Sequence, residues 1–239
     1  MPKLVTEKYP DGSPKVTVEG VDGHTITETL AKPPPPNQLI ERKDSYSDSS
    51  GPTTKTSSYN PPGTLEKTVT EHTKANGDEV IQEDDAAGKP VKKTEKQERP
   101  LPAPKNGTRT TTTDYVWDPV AKKWKKKHEK TVTQETGADG KKLPEESSEI
   151  DYDDAGKPKK KTDIKLDKDG KGKVTGRTTT TSTYEDGKPK TDDGKKEKYD
   201  PESGTFKMMS VSLTVHFIEE GPARPARASG RSERRSLRA

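Results

Sequence analysis

The sequence predicts a mostly β chain, an elongated array of repeated antiparallel hairpins or meanders with little core, polyproline linkers and a disordered basic C-terminal tail. Three observations carry that prediction. Leu, Ile, Val and Phe together supply 30 of 239 residues. That is about 13%, below the ~20% under which burial struggles to offset the entropy of ordering a chain. Asp-Gly and Asn-Gly turn signals recur along the whole length. Pro and Gly together number 40, and no apolar i, i+3, i+4 pattern is sustained, so helix is a poor competitor. The 45 basic and 41 acidic residues leave a net charge of +4; composition alone does not decide between disorder and a thin, solvated fold.

The turns set the frame. Gly follows Asp or Asn, or ends a short Asp-initiated loop, at Asp11/Gly12, Asp22/Gly23, Asn76/Gly77, Asp85 to Gly88, Asp139/Gly140 and Asp153 to Gly156. The same holds at Asp169/Gly170, Asp186/Gly187, Asp193/Gly194 and Asp200 to Gly204. Gly takes positive φ there while Asp or Asn holds the local backbone, as hairpins require.

Strands are expected between them, in stretches rich in Thr, Val, Tyr and Lys. In chain order these are Lys15 to Glu19, His24 to Leu30, Glu66 to Thr73, Thr110 to Trp117, Lys123 to Gln134, Glu149 to Tyr152, Asp163 to Asp167 and Arg177 to Tyr184. The strongest is Thr205 to Glu219, where Val211, Leu213, Val215 and Phe217 alternate with Ser212, Thr214 and His216. Period two gives that strand one apolar and one polar face.

Internal repetition points the same way. The run from Thr68 to Val80 aligns without gaps on Thr131 to Leu143. Asp85 to Thr94 matches Asp153 to Thr162 at a larger offset, with five residues gained between the two turns. Tyr59-Asn-Pro-Pro-Gly-Thr-Leu65 is matched by Tyr199-Asp-Pro-Glu-Ser-Gly-Thr-Phe206, with Trp117-Asp-Pro and Trp124 as a looser copy. Repeats of this kind build arrays in which each unit packs on its neighbours. At Tyr152-Asp-Asp-Ala-Gly-Lys157 followed by Thr162, and in part at Asp85 to Thr94 and Tyr184 to Thr191, the chain resembles the tyrosine-aspartate (YD, or RHS-like) repeats of surface and toxin-delivery proteins. The resemblance implies a β-hairpin repeat scaffold.

Composition shifts divide the chain into an N-terminal β-hairpin (1–30), a Pro/Ser-rich linker (31–52) and a middle β-repeat (53–98). A second Pro-rich linker (99–107), a C-terminal β-repeat array (108–220) and an Arg-rich tail (221–239) follow. Pro33 to Pro36 and the stretch from Arg99 to Lys105 read as extended polyproline spacers.

Several chemistries find no support in the inventory. Without Cys there is no disulfide framework or thiolate site. His24, His72, His128 and His216 fall in different expected strands, none within a nucleophile motif. No phosphate-cradling Gly-rich loop occurs. The acidic groups at Asp151, Asp153 and Asp154 and at Asp167 and Asp169 lack the oxygen ligands of a calcium loop, since Ala155 and Thr162 stand at its fifth and twelfth positions. No cofactor, metal site or catalytic residue is therefore expected. The N-terminus shows no signal peptide, and no apolar run is long enough to span a bilayer. Synthesis as a soluble cytoplasmic protein without membrane insertion is expected, with the final location left open, an extracellular or virion assembly included.

Two interaction chemistries remain. Trp117, Trp124, Phe206, Val211, Leu213, Val215 and Phe217 concentrate the sparse apolar surface and are the candidates for assembly or packing. Lys122, Lys123, Lys125, Lys126 and Lys127 beside the two Trp residues, and Arg224, Arg227, Arg231, Arg234, Arg235 and Arg238 in the tail, are the candidates for holding a polyanion such as nucleic acid. The expected function is a non-enzymatic structural or interaction protein, a β-repeat component of a larger fibre, surface or virion-type assembly, with self-assembly or protein partners. The alternative is a largely disordered polyanion-binding protein.

Overall fold

In the computed structural model the described residues are 3–8, 14–19, 24–30, 39–60, 63–137 and 139–216. They form strands without helix. The first five strands are β1 (Lys3–Lys8), β2 (Pro14–Glu19), β3 (Thr25–Leu30), β4 (Leu39–Asp48) and β5 (Gly51–Tyr59). The middle of the chain forms β6 (Leu65–Thr73), β7 (Glu79–Asp85), β8 (Pro90–Pro100), β9 (Asn106–Asp118) and β10 (Lys123–Thr136). The last five are β11 (Glu146–Tyr152), β12 (Pro158–Lys168), β13 (Val174–Glu185), β14 (Lys188–Asp200) and β15 (Thr205–Val215). Each pairs antiparallel with the strands before and after it, giving one fifteen-stranded meander in chain order. The sheet is open, with β1 and β15 at its two edges. At ~4.8 Å per strand its span across the strands is about 70 Å.

This single layer has almost no core. Leu101 and Val174 are the only buried apolar side chains among the described residues. Cross-strand chemistry takes the place of a core. Directly opposed hydroxyls lie within hydrogen-bond reach at Ser45 and Thr54, Ser57 and Thr68, Thr111 and Thr131, Thr162 and Thr181, and Thr183 and Thr191. Opposed ionic or polar rungs join Lys96 to Glu79, Arg177 to Glu197 and Thr94 to Asp114. Such pairs contribute about 0.2–1 kcal/mol each, so the sheet is held by many small terms.

The turns explain why Asp and Gly recur. At Asp85–Lys89, Asp153–Lys157 and Asp169–Lys173 the first Asp N–H donates to the carbonyl four residues on, and the Gly N–H donates back to the Asp carbonyl. The same Asp Oδ1 accepts from two further N–H groups of its loop. This is a three-residue hairpin loop with a left-handed Gly, and its acidic residue is occupied by backbone. In the third loop the left-handed residue is Gly172, rather than Gly170 as the Asp-Gly signal suggested.

Three expectations are corrected. The linker assigned to 31–52 contains β4 and the start of β5, and β4 pairs with β3. The Pro-rich linker assigned to 99–107 is a hairpin connection: Arg99 and Pro100 end β8, Asn106 begins β9, and the two strands pair along their length. Asp193 and Gly194 sit inside β14, opposite Leu213 and Ser212, where no turn occurs. The N-terminal unit comprises three strands, and the segment around Pro33 to Pro36 lies outside the described residues.

Candidate interaction surfaces

Two hairpin loops are copies of one another. Trp117-Asp-Pro-Val-Ala-Lys-Lys-Trp-Lys125 joins β9 to β10, and Tyr199-Asp-Pro-Glu-Ser-Gly-Thr-Phe-Lys207 joins β14 to β15. In each, an aromatic pair faces across the hairpin: Trp117 and Trp124 meet edge-to-face at 5.2 Å between centroids, and Tyr199 and Phe206 meet at 5.0 Å. The Asp beside the first aromatic binds the Lys beside the second, Asp118 to Lys125 at 2.7 Å and Asp200 to Lys207 at 2.9 Å. The Lys125 ammonium, followed by loop N–H groups, holds the Asp118 carboxyl at about 2. Lys207, followed by the Ser203 hydroxyl, holds Asp200 at about 2.

The Trp pair opens onto a row of alternating cations and rings on one face. Lys93 of β8 stands over Tyr115 at 4.5 Å and Trp124 at 5.3 Å, and Lys126 stands over Tyr152 at 5.4 Å. Carboxylates complete the row: Glu95 takes Lys93 at 2.7 Å and the Tyr115 hydroxyl at 3.3 Å, while Glu129 takes Lys126 at 2.7 Å. Beside it, Pro90, Val91, Val116, Trp117 and Pro119 line a shallow open groove of about 570 Å³.

The five clustered lysines do not form a stripe. Lys122 lies in the loop; Lys125 is opposite Val116 on one face, and Lys126 is opposite Tyr115 on the other. A bulge between Lys126 and His128 sets Lys127 out of register, where it pairs with Asp154. Three of the five ammonium groups thus have carboxylate partners. The second aromatic loop has the same kind of cationic support: Arg177 lies 4.3 Å from the Phe206 ring and 2.5 Å from Glu197, which Lys195 also approaches at 3.0 Å. Glu197 is only 6% exposed, and Arg177, then Lys195, holds its carboxyl at about 2.

The histidines are cross-strand partners. His24 stacks on Tyr46 and meets Asp44, His128 meets Asp151 at 2.8 Å, His216 meets Asp192 at 2.7 Å, and His72 meets the Thr53 hydroxyl at 2.8 Å. Among the described residues no cluster of metal-ligating side chains occurs, and no helix is long and apolar enough to cross a membrane.

The last surface is β15. Val211, Leu213 and Val215 share one face of this edge strand and are 69%, 65% and 48% exposed. Met208 and Met209 beside them are also exposed. Phe217 and the six tail arginines (Arg224, Arg227, Arg231, Arg234, Arg235 and Arg238) lie outside the described residues.

Thus the structure brings Trp117 together with Trp124 and keeps Phe206 with its own loop, away from the apolar stripe. Lys93, Tyr115, Tyr152, Arg177 and Glu197 were missed in the sequence. Only the strand register, which no local motif encodes, places them beside the aromatics. No protein-family model matches the chain, and no curated protein is similar to it.

Proposed function

We propose that the chain is a non-enzymatic structural or interaction protein, a β-repeat component of a larger assembly. One observation carries the reading: an open, single-layer sheet ends in a strand whose apolar side chains Val211, Leu213 and Val215 are about half to two-thirds exposed. A chain with so little internal burial gains most from association, because binding to the folded state stabilises it by mass action. The pairing of His24, His128 and His216 with Asp across strands supports a structural rather than catalytic use of those side chains. The lysine cluster gives the polyanion alternative little support, since Lys125, Lys126 and Lys127 already face carboxylates.

Small-angle scattering and sedimentation velocity on the full chain test the reading. An elongated particle whose size grows with concentration is expected. A compact sphere, or a monomer at every concentration, overturns it.

A further inference from the structure

We propose that β15 is a self-pairing edge, at which two copies of the chain join antiparallel about a two-fold axis through Leu213. The proposal rests on the assembly reading above and names the surface that drives it. Three observations converge on this strand.

The first is the direction of its backbone groups. The His216 N–H donates to the Lys190 carbonyl at 2.8 Å, and Thr214 and Ser212 follow as partners of Asp192 and Gly194. In an antiparallel ladder the residues whose N–H and C=O turn toward the partner alternate with those whose groups turn away. His216, Thr214 and Ser212 therefore spend their groups on β14. Val211, Leu213 and Val215 direct theirs to the open edge.

The second is side-chain chemistry. The three residues that offer free backbone groups are the same three that expose apolar side chains on one face. When Leu213 faces Leu213 of a second copy, Val211 faces the second copy's Val215 and the reverse. All three pairs are then hydrogen-bonded pairs, and six branched apolar side chains form one patch across the seam. Ser212 and Thr214 oppose one another on the other face. No complementary partner is needed, because the strand complements itself.

The third is the lack of a guard among the described residues. Edge strands are normally protected by charge, Pro or a covering element. From Met208 to Val215 there is no charged residue and no Pro, whereas β1 at the opposite edge reads KLVTEK. β1 and β15 also run the same way through the alternating meander, so joining them by simple translation requires a parallel pair. A single-strand seam buries less than the ~800 Å² per partner of a standard interface, so the dimer is reversible and concentration-dependent.

Leu213→Lys tests the seam without threatening the monomer. Its neighbour on β14 is Asp193, which can face the new ammonium within the same chain. Across the two-fold, however, two lysines meet, and like charges directly opposite one another repel. In sedimentation velocity the wild-type chain is expected to dimerise, and Leu213→Lys to weaken the dimer by about tenfold or more with unchanged circular dichroism. Val120→Lys makes a similar exchange at a loop side chain 91% exposed, and is expected to leave association intact. Mixing Leu213→Lys with Leu213→Glu chains is expected to restore it. Because the chain has no Cys, a spin label on Ser210→Cys is unique. The proposed register puts the two labelled backbones about 20 Å apart.

Growth in size that Leu213→Lys and Val120→Lys leave equally untouched overturns this seam, while the assembly reading survives through another surface. A wild-type chain that stays monomeric up to about 100 µM, the highest concentration tested, overturns both. Dimers without the short label distance place the contact elsewhere and also overturn the proposal.

Discussion

Lys122 and Gly204 hold equivalent positions in two copies of one hairpin loop, and both have left-handed backbones, at φ 49° and 67°. The left-handed region costs a residue with a Cβ about 1–2 kcal/mol, while Gly enters it freely. Lys122→Gly is therefore expected to stabilise the β9–β10 loop by about 0.5–1 kcal/mol after the greater freedom of Gly in the unfolded chain is offset. Gly204→Lys is expected to destabilise the other loop by a similar amount. Opposite shifts of the thermal midpoint check the pair. A loss of stability in Lys122→Gly contradicts the strain argument.

Glu135, whose carbonyl accepts the Leu143 N–H, stands beside the place where the two halves of the internal repeat diverge. The five residues gained between the repeated turns fall between Leu143 and Asp153, a stretch that begins with Pro144 in the connection from β10 to β11. There the regular ladder lapses. Glu135 instead meets Lys105 and Lys168 at 2.5 Å each, and the Glu146 side chain accepts the Leu166 N–H at 3.0 Å. Lys105 first, then Lys168, holds the Glu135 carboxyl below its ordinary value. Glu135→Gln is expected to cost about 1 kcal/mol, a modest figure because one of the lysines is more than half exposed. Hydrogen exchange concentrated at the ends of β10 and β12 checks it, and uniform exchange across the sheet contradicts it.

Acid stability follows from the carboxylates. Glu197, Asp118 and Asp200 sit at about 2, against ordinary values of 4.5, 3.8 and 3.8. Lys93 lowers Glu95, and the two lysines lower Glu135. Groups depressed in the folded state bind fewer protons than in the unfolded one. Their contribution is present above the unfolded values and is lost as pH falls through the folded ones. The thermal midpoint is expected to stay flat from neutral pH to about 5 and to decline between about 4.5 and 2. Glu197→Gln should make that decline shallower. A midpoint rising below pH 4.5 reverses the sign and defeats the account.

The limits of the sequence are visible in the same residues. The loops at Asp85 and Asp153 were legible because a hairpin loop is a local object, decided by one Asp and one Gly, and at Asp169 the turn was legible but its left-handed residue is Gly172 rather than the adjacent Gly170. The hairpin-repeat architecture followed from them. By contrast β8, which runs Pro-Val-Lys-Lys-Thr-Glu-Lys-Gln-Glu-Arg-Pro, shows no apolar alternation. What holds it is opposite charge and hydroxyl chemistry on its neighbours, such as Glu79 and Asp114. Gly194 carried a turn signal, but its ladder partners on both sides overrode local preference. The lysine cluster divides in the same way: strand alternation itself sends Lys125 and Lys126 to opposite faces, whereas the bulge between Lys126 and His128, which sets Lys127 out of register toward Asp154, is announced by nothing in a run of lysines.

Trp117 and Trp124 provide a direct optical test of the register between β9 and β10. They are the chain's two Trp residues, opposite one another in the ladder and edge-to-face at 5.2 Å. Such pairs contribute about 0.5–1.5 kcal/mol beyond their buried area. Two indoles this close couple electronically, so the folded chain is expected to show a paired ultraviolet dichroism band lost completely in either Trp117→Phe or Trp124→Phe. Stability should fall by about 1 kcal/mol in each, and the double variant should cost less than the sum, because the first change has already removed the contact. Additive losses, with half the dichroism band left in each single variant, mean that the rings do not meet. A one-residue slip of the register has the same optical signature, because it sends one indole to the opposite face of the sheet.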